Sequence, residues 1–225
     1  MHIPDGYLGP ATCGFFYVLM LPIWTAASRI VKKTLKARQV PMLAIGAAFS
    51  FVIMIFDVPL PGGSSAHAVG GVIVAILLGP WAACIAITVT LAIQALLFGD
   101  GGITALGANC FNMAFILPFA GYYIYRVVSY KAPLNSMRRI IAAGLAGYLA
   151  VTLAALFAGI ELGVQSLLHH SLGGQTFYFP YGLKTSLRVM LGGHLLVIGW
   201  VEAVMTGLVI KYLQKYSPNL FAENG

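Results

Sequence analysis

Residues 69–98 read VGGVIVAILLGPWAACIAITVTLAIQALLF, without one charged side chain. No soluble domain covers such a run on all sides. The rest of the chain follows suit. Apolar residues make up 60% of the 225 positions and charged residues 8%, with a mean hydropathy of +0.89. A wet surface needs roughly a quarter of residues charged, so lipid is the solvent this chain is written for. A spanning helix takes about 20 mostly apolar residues. Seven stretches qualify as candidates: 9–28, 41–57, 66–79, 80–98, 106–126, 138–160 and 187–212. The sequence therefore predicts an all-α, polytopic membrane bundle of about seven helices, folded as a single unit over residues 1–225.

The net charge of +7 comes from 13 basic and 6 acidic residues. In a soluble protein such an excess suggests nucleic acid; here its placement reads as topology, and no nucleic-acid partner is expected. Arg29, Lys32, Lys33, Lys36 and Arg38 fall between the first two stretches. Arg126, Lys131, Arg138 and Arg139 fall between the fifth and sixth, and Lys211 and Lys215 at the end. With seven spans these lie on one side, which the positive-inside rule makes cytoplasmic. Only Lys184 and Arg188 lie opposite. The N-terminus is then outside and the C-terminus inside. Asp5, Asp57, Asp100 and Glu161 are placed outside, with His2, His67, His169 and His170, and His194 in the outer half of the last span.

Cys13, Cys84 and Cys110 sit in apolar runs with no C-x-x-C spacing, so they read as small core residues. The first eight residues, MHIPDGYL, lack the positive start of a signal peptide. Met1 is expected to be the mature start, with a free amine.

Two connections are rich in helix breakers: DVPLPGGSSAH, residues 57–67, and FGDGGITALG, residues 98–107. They read either as ordinary turns or as loops dipping inward to line a cavity, since irregular backbone at membrane depth must be covered by protein or water. Short, Gly/Pro-interrupted segments point to substrate sites in transporters. From His67 to Gly79-Pro80 there are about 14 residues, roughly 20 Å of helix against a hydrocarbon core of roughly 30 Å. That leaves His67 below the outer surface.

His2 carries the most specific chemistry. A terminal amine, the deprotonated backbone nitrogen of residue 2 and the Nδ1 of His2 close a five- and a six-membered chelate ring. The three nitrogens lie near one plane, a geometry that suits Ni(II) and Cu(II) rather than zinc or magnesium. His67 is the best candidate for the fourth corner. Pro4 extends Ile3, and Asp5-Gly6 turns the chain, letting residues 1–8 fold inward. Ser64, Ser65, Asn109 and Asn112 are candidates to hold the second ring nitrogen of a ligating histidine. His169 and His170 read as exposed loop residues, and His194 as a hydrogen-bonded helix residue. Ala142, Ala146, Ala150, Ala154 and Ala158 form a small-residue stripe, as do Ala44 and Ala48; each serves packing within the bundle or docking of a partner. Glu202, in mid-span, should face protein or water.

MHIPDGYL, PLPGGSSAHAVGG and FGDGGITALGANCFNMAF, in that order, resemble the CbiM/NikM family, the substrate-binding S-components of nickel and cobalt energy-coupling factor (ECF) transporters. The resemblance covers at least residues 1–127. It implies a Ni2+ or Co2+ site from the amine of Met1, the backbone nitrogen and Nδ1 of His2, and the side chain of His67. It also implies a transmembrane coupling (T) subunit, a pair of ABC-type ATPases, and often a small accessory membrane protein, all in a prokaryotic cell membrane. The chain has no G-x-x-x-x-G-K-[ST] loop, so it is expected to be a transport subunit and not an enzyme. A stand-alone secondary transporter is the alternative, and would need intramembrane carboxylates. An intramembrane enzyme is a weaker one. H-E-x-x-H and G-x-S-x-G are absent, though Ser64 and Ser65 near His67 hint at a hydrolase.

Overall fold

The computed structural model describes all residues except 62–63, 170–175, 219 and 221–225. His170 lies outside the described residues. Seven helical segments make up the bundle: α1 Pro10–Thr34, α2 Ala37–Met54, α3 Gly71–Leu78, α4 Pro80–Phe98, α5 over 106–128, α6 Met137–Leu168 and α7 Leu183–Tyr216. Five of them, α1, α2, α4, α6 and α7, are long and apolar enough to cross a membrane. Prolines open α1 and α4 at positions where a missing N–H costs nothing.

The third expected span, 66–79, is shorter than its apolar run suggests. Its helix begins only at Gly71 and ends at Leu78. Eight residues reach about 12 Å, under half the hydrocarbon core. The preceding residues form a two-stranded antiparallel hairpin instead, β1 Val58–Leu60 against β2 Ser64–Ala66, with Val58 opposite Ala66. Val58 and Pro59 of β1 are exposed, whereas Ser64 and Ala66 of β2 are buried. The 57–67 connection therefore starts at the surface and ends inside, as the dipping-loop reading requires.

Small residues line α6. Ala142, Ala146, Ala150, Ala154 and Ala158 are all 0% exposed, so this stripe packs inside the bundle and offers no docking face. Ala44 and Ala48 on α2 are exposed. Phe15, Val18, Leu145, Leu196, Trp200 and Leu208 also face outward, the inverse of a soluble protein and the pattern a lipid solvent demands. The three cysteines are free and buried.

Three helices contain a π-helical turn: 94–98 in α4, 110–116 in α5 and 194–198 in α7. Each carries a buried polar residue, Gln94, Asn112 and His194. Such turns rotate the residues that follow and leave carbonyls free for side chains. One of them, Leu195 O, accepts from Tyr148 Oη at 2.9 Å. The expected hydrogen bond of His194 is present, from Nδ1 to Met190 O at 2.7 Å. His169 differs from expectation. It is half-buried, its ring against Tyr178 at 5.0 Å. Glu161 also differs. The sixth span is expected to end at 160, but α6 runs past Glu161, which is 4% exposed and accepts from Asn112 Nδ2 at 2.7 Å.

Candidate metal centre

The first three residues enter the bundle outside any helix or strand. Met1, His2 and Ile3 are 1%, 5% and 1% exposed. A chain end bearing an amine does not sink into an apolar bundle unless polar groups meet it there, and the Met1 amine and the Ile3 backbone are so met. The Met1 amine bonds Ser65 Oγ at 3.0 Å. Ile3 N–H donates to Asn109 Oδ1 at 2.8 Å, and Ile3 O accepts from Asn109 Nδ2 at 3.1 Å and from Gly102 N at 2.8 Å. Asn109, at the start of α5, thus clamps both polar groups of one residue.

The segment turns at Asp5-Gly6, with Gly6 at φ +82°. The Asp5 carboxylate then accepts from Ile103 N at 3.1 Å, Thr104 N at 2.8 Å and Thr104 Oγ1. Those bonds, the Thr104 hydroxyl foremost, hold its pKa below the usual carboxylate value. The 98–107 connection is therefore the wall against which the N-terminus docks. Gly101 makes that possible. Its φ of +83° disfavours any side chain, and a Cβ there would lie 3.1 Å from His2 Cδ2 and 3.2 Å from Asn109 Nδ2.

His2 and His67 meet in this wall. Their rings stack with centroids 4.6 Å apart and planes 27° apart, and His67 is 0% exposed. His67 Nδ1–H donates to Ala68 O at 3.1 Å, which leaves Nε2 as the lone-pair nitrogen, buried and without a hydrogen-bond partner. His2 is set the other way. Its Nε2–H donates to Gln94 Oε1 at 3.2 Å, so Nδ1 carries the lone pair. That Nδ1 lies 3.2 Å from Asp100 Oδ1. Two electron-rich atoms side by side are an arrangement that a cation relieves.

Burial also discharges the donors. It lowers the Met1 amine from 8.0 to about 5, against the opposing pull of Asp57 and Asp100. It lowers His2 to about 3, with the nearby amine contributing, and His67 well below 6.5. Amine and both imidazoles are thus neutral near pH 7, the protonation state that metal ligation needs.

Met1, His2 and His67, singled out from sequence, are brought together. The four candidate holders are not used as expected. Among the described residues, none of Ser64, Ser65, Asn109 and Asn112 bonds a histidine ring. Ser65 and Asn109 hold the N-terminal backbone instead, Asn112 holds Glu161, and Ser64 sits in the hairpin opposite Leu60. The ring partners are Gln94 and the Ala68 carbonyl. Gln94 and Asp100 escaped the sequence reading, although Asp100 lies in the quoted 98–107 loop. Among the described residues no three His, Cys, Asp or Glu side chains form a ligand set.

The chain matches the family model CbiM, described as cobalt uptake substrate-specific transmembrane region, over residues 2–220. The chain belongs to the CbiM family. Two relatives show its range. A probable fused nickel transport protein LarMN of Lactiplantibacillus plantarum is 50% identical over 224 residues, covering 98% of this chain and 67% of that one. A putative metal transport protein of Methanocaldococcus jannaschii is 46% identical over 222 residues, covering 98% and 95%. A crystal structure described as a truncated transition metal transporter is 52% identical and matches with a TM-score of 0.91, covering 96% of this chain and 99% of that one. As a CbiM protein, the chain is a multi-pass membrane protein of a metal transport family.

Proposed function

We propose that this CbiM protein captures Ni2+ or Co2+ as the substrate-binding subunit of an ATP-driven uptake transporter. The ion is held by the Met1 amine, the backbone nitrogen and Nδ1 of His2, and Nε2 of His67. One observation carries the reading: each of the two stacked histidines has its other ring nitrogen tied down, and the nitrogen that this chelate requires makes no hydrogen bond. Ligating histidines are set in this way. Loss of the His2 amide proton on binding offsets one of the two cation charges, and Asp100 stands beside the other.

The family description and the relatives' names support the cargo; the charge pattern supports entry from the outside, with the N-terminus there and the C-terminus in the cytoplasm. The transport energy comes from partners: a transmembrane coupling subunit, an ABC-type ATPase pair and a small accessory membrane subunit. Residues 1–8 act as the inward-folding, metal-binding part of a single 1–225 domain in a prokaryotic cell membrane. Square-planar nitrogen favours nickel over cobalt.

The secondary-transporter alternative asks for mobile carboxylates. Among the described residues the two buried ones are engaged, Glu161 with Asn112 and Glu202 with Val69 and Gly70. A hydrolase would need a carboxylate orienting His67, and the Ala68 carbonyl occupies that place.

The test is a Ni2+ titration of the purified chain and of His67→Ala, with absorption spectra. Loss of one ligand should weaken binding at least tenfold, as ~1.4 kcal/mol demands, and shift the nickel bands. Wild-type affinity and spectrum in His67→Ala would refute the site.

A further inference from the structure

We infer that Glu202 is a positioning residue for His67, acting through the backbone that follows it; the inference rests on the site proposed above. Glu202 lies on α7 and is 0% exposed. Its carboxylate accepts from Val69 N at 2.7 Å, and from Gly70 N at 3.0 Å and 3.3 Å. Those two amides lie just before the short helix α3, whose N-cap, Gly70, offers no side chain. A carboxylate at this end also meets the positive pole of the helix.

The segment it grips is the one that aims the metal ligand. Residues 67–70 belong to no helix or strand. The ring of His67 is oriented by its own next carbonyl, Ala68 O, at 3.1 Å. Nothing in that bond fixes the ring relative to the bundle unless the 67–70 backbone is itself fixed. Glu202 does so, two peptides downstream. The neighbourhood is shaped around the grip. Gly70 sits at φ +72°, and a Cβ there would lie 2.9 Å from Phe49 Cε1. On α6, a Cβ at Gly147 would lie 3.3 Å from Glu202 Cγ and 3.0 Å from Thr206 Oγ1.

Economy argues for the same role. An ionisable group at this depth is costly, and replacing buried charge by apolar packing is often neutral or stabilising. Holding α6 against α7 needs no carboxylate, since Gly144, Gly147 and Gly159 already let the two helices pack closely.

The experiment uses the full chain with its native start, in detergent, with Ni2+ as probe and titrations carried to millimolar metal. Glu202→Gln keeps the volume but can offer only one accepting oxygen to two N–H groups. It should weaken nickel binding 10- to 100-fold, the usual effect of removing support behind a ligand. Its nickel spectrum should shift toward that of His67→Ala. In a His67→Ala background the same change should alter affinity less than about twofold, because the ligand it aims is gone. A residue that only stabilises the bundle would lower the melting temperature of the metal-free protein and leave the spectrum unmoved. Wild-type affinity in Glu202→Gln overturns the inference, as does an equal loss with and without His67. If His67→Ala itself has no effect, the site reading fails first. Should Glu202→Gln not fold, Glu202→Asp, one methylene short, is read by the same spectrum. An Asp variant with wild-type affinity and bands overturns the inference equally.

Discussion

Asn109 should decide whether the N-terminus stays docked. In Asn109→Leu, Ile3 N–H loses its 2.8 Å acceptor inside a buried segment. An orphaned buried donor costs about 1–3 kcal/mol. Ile3 O loses the 3.1 Å bond but keeps Gly102 N at 2.8 Å, so its loss is an ordinary hydrogen bond, about 0.5–1.5 kcal/mol. Together these shift docking by roughly 10- to 1000-fold at 1.4 kcal/mol per decade. Burial of Met1 and Ile3 still opposes release by about 1.5–3 kcal/mol each, so the variant stays mostly docked but opens more often. The assay is the acylation rate of the Met1 amine in metal-free protein, above the amine's ordinary pKa of 8.0, with exposed Lys184 as the internal standard. The rate should rise at least tenfold. Apparent nickel affinity should fall in proportion to the docked fraction that remains. An unchanged labelling rate in folded Asn109→Leu would refute the clamp.

Other predictions test the surroundings. Asp5→Ala should speed hydrogen exchange at the Ile103 and Thr104 amides, which the carboxylate now protects. Because the folded pKa of Asp5 lies below 3.8, its contribution is present above that value and is lost as pH falls through the lower folded one; wild type and variant should therefore converge in strong acid. Gly101→Ala should weaken nickel binding more than Gly6→Ala. Both sit at φ above +80°, a strain of about 1–2 kcal/mol, but only Gly101 faces His2; equal effects would show that the contact is irrelevant. Leu at both Ala44 and Ala48 should spare metal binding and abolish co-purification with the coupling subunit; an intact complex would remove this face of α2 from consideration.

The parts of this protein that were readable in advance are those with a local signature. Long apolar runs announced the helices, and Pro80 marked the start of α4. His2 was legible because its chemistry follows from its position, and His67 because a Gly/Pro-rich stretch ran into a helix too short to span. What stayed hidden depends on rotation and depth. Gln94 sits in the run LAIQALLF and reads as one polar residue in a span; nothing in that run shows that it faces His2. Glu161 was placed past the end of its helix because apolar periodicity does not locate a membrane surface to within a turn. Glu202 was visibly anomalous, but its partners are two backbone amides on the other side of the chain, more than 130 residues away, and no pattern in sequence names them. The holders were misassigned for a related reason: Asn109 and Ser65 are polar groups beside the site, yet what they satisfy is the buried chain end itself.

The central claim concerns that chain end, and blocking its amine tests it. An acetyl group on the nitrogen of Met1 removes that donor and leaves His2 in place, so the five-membered chelate ring cannot close. Nickel titration of the free and acetylated proteins side by side should show at least a tenfold loss for the acetylated one, from one nitrogen donor at more than ~1.4 kcal/mol, together with loss of the square-planar nickel band. Equal affinity and an identical band in the acetylated protein would contradict the account.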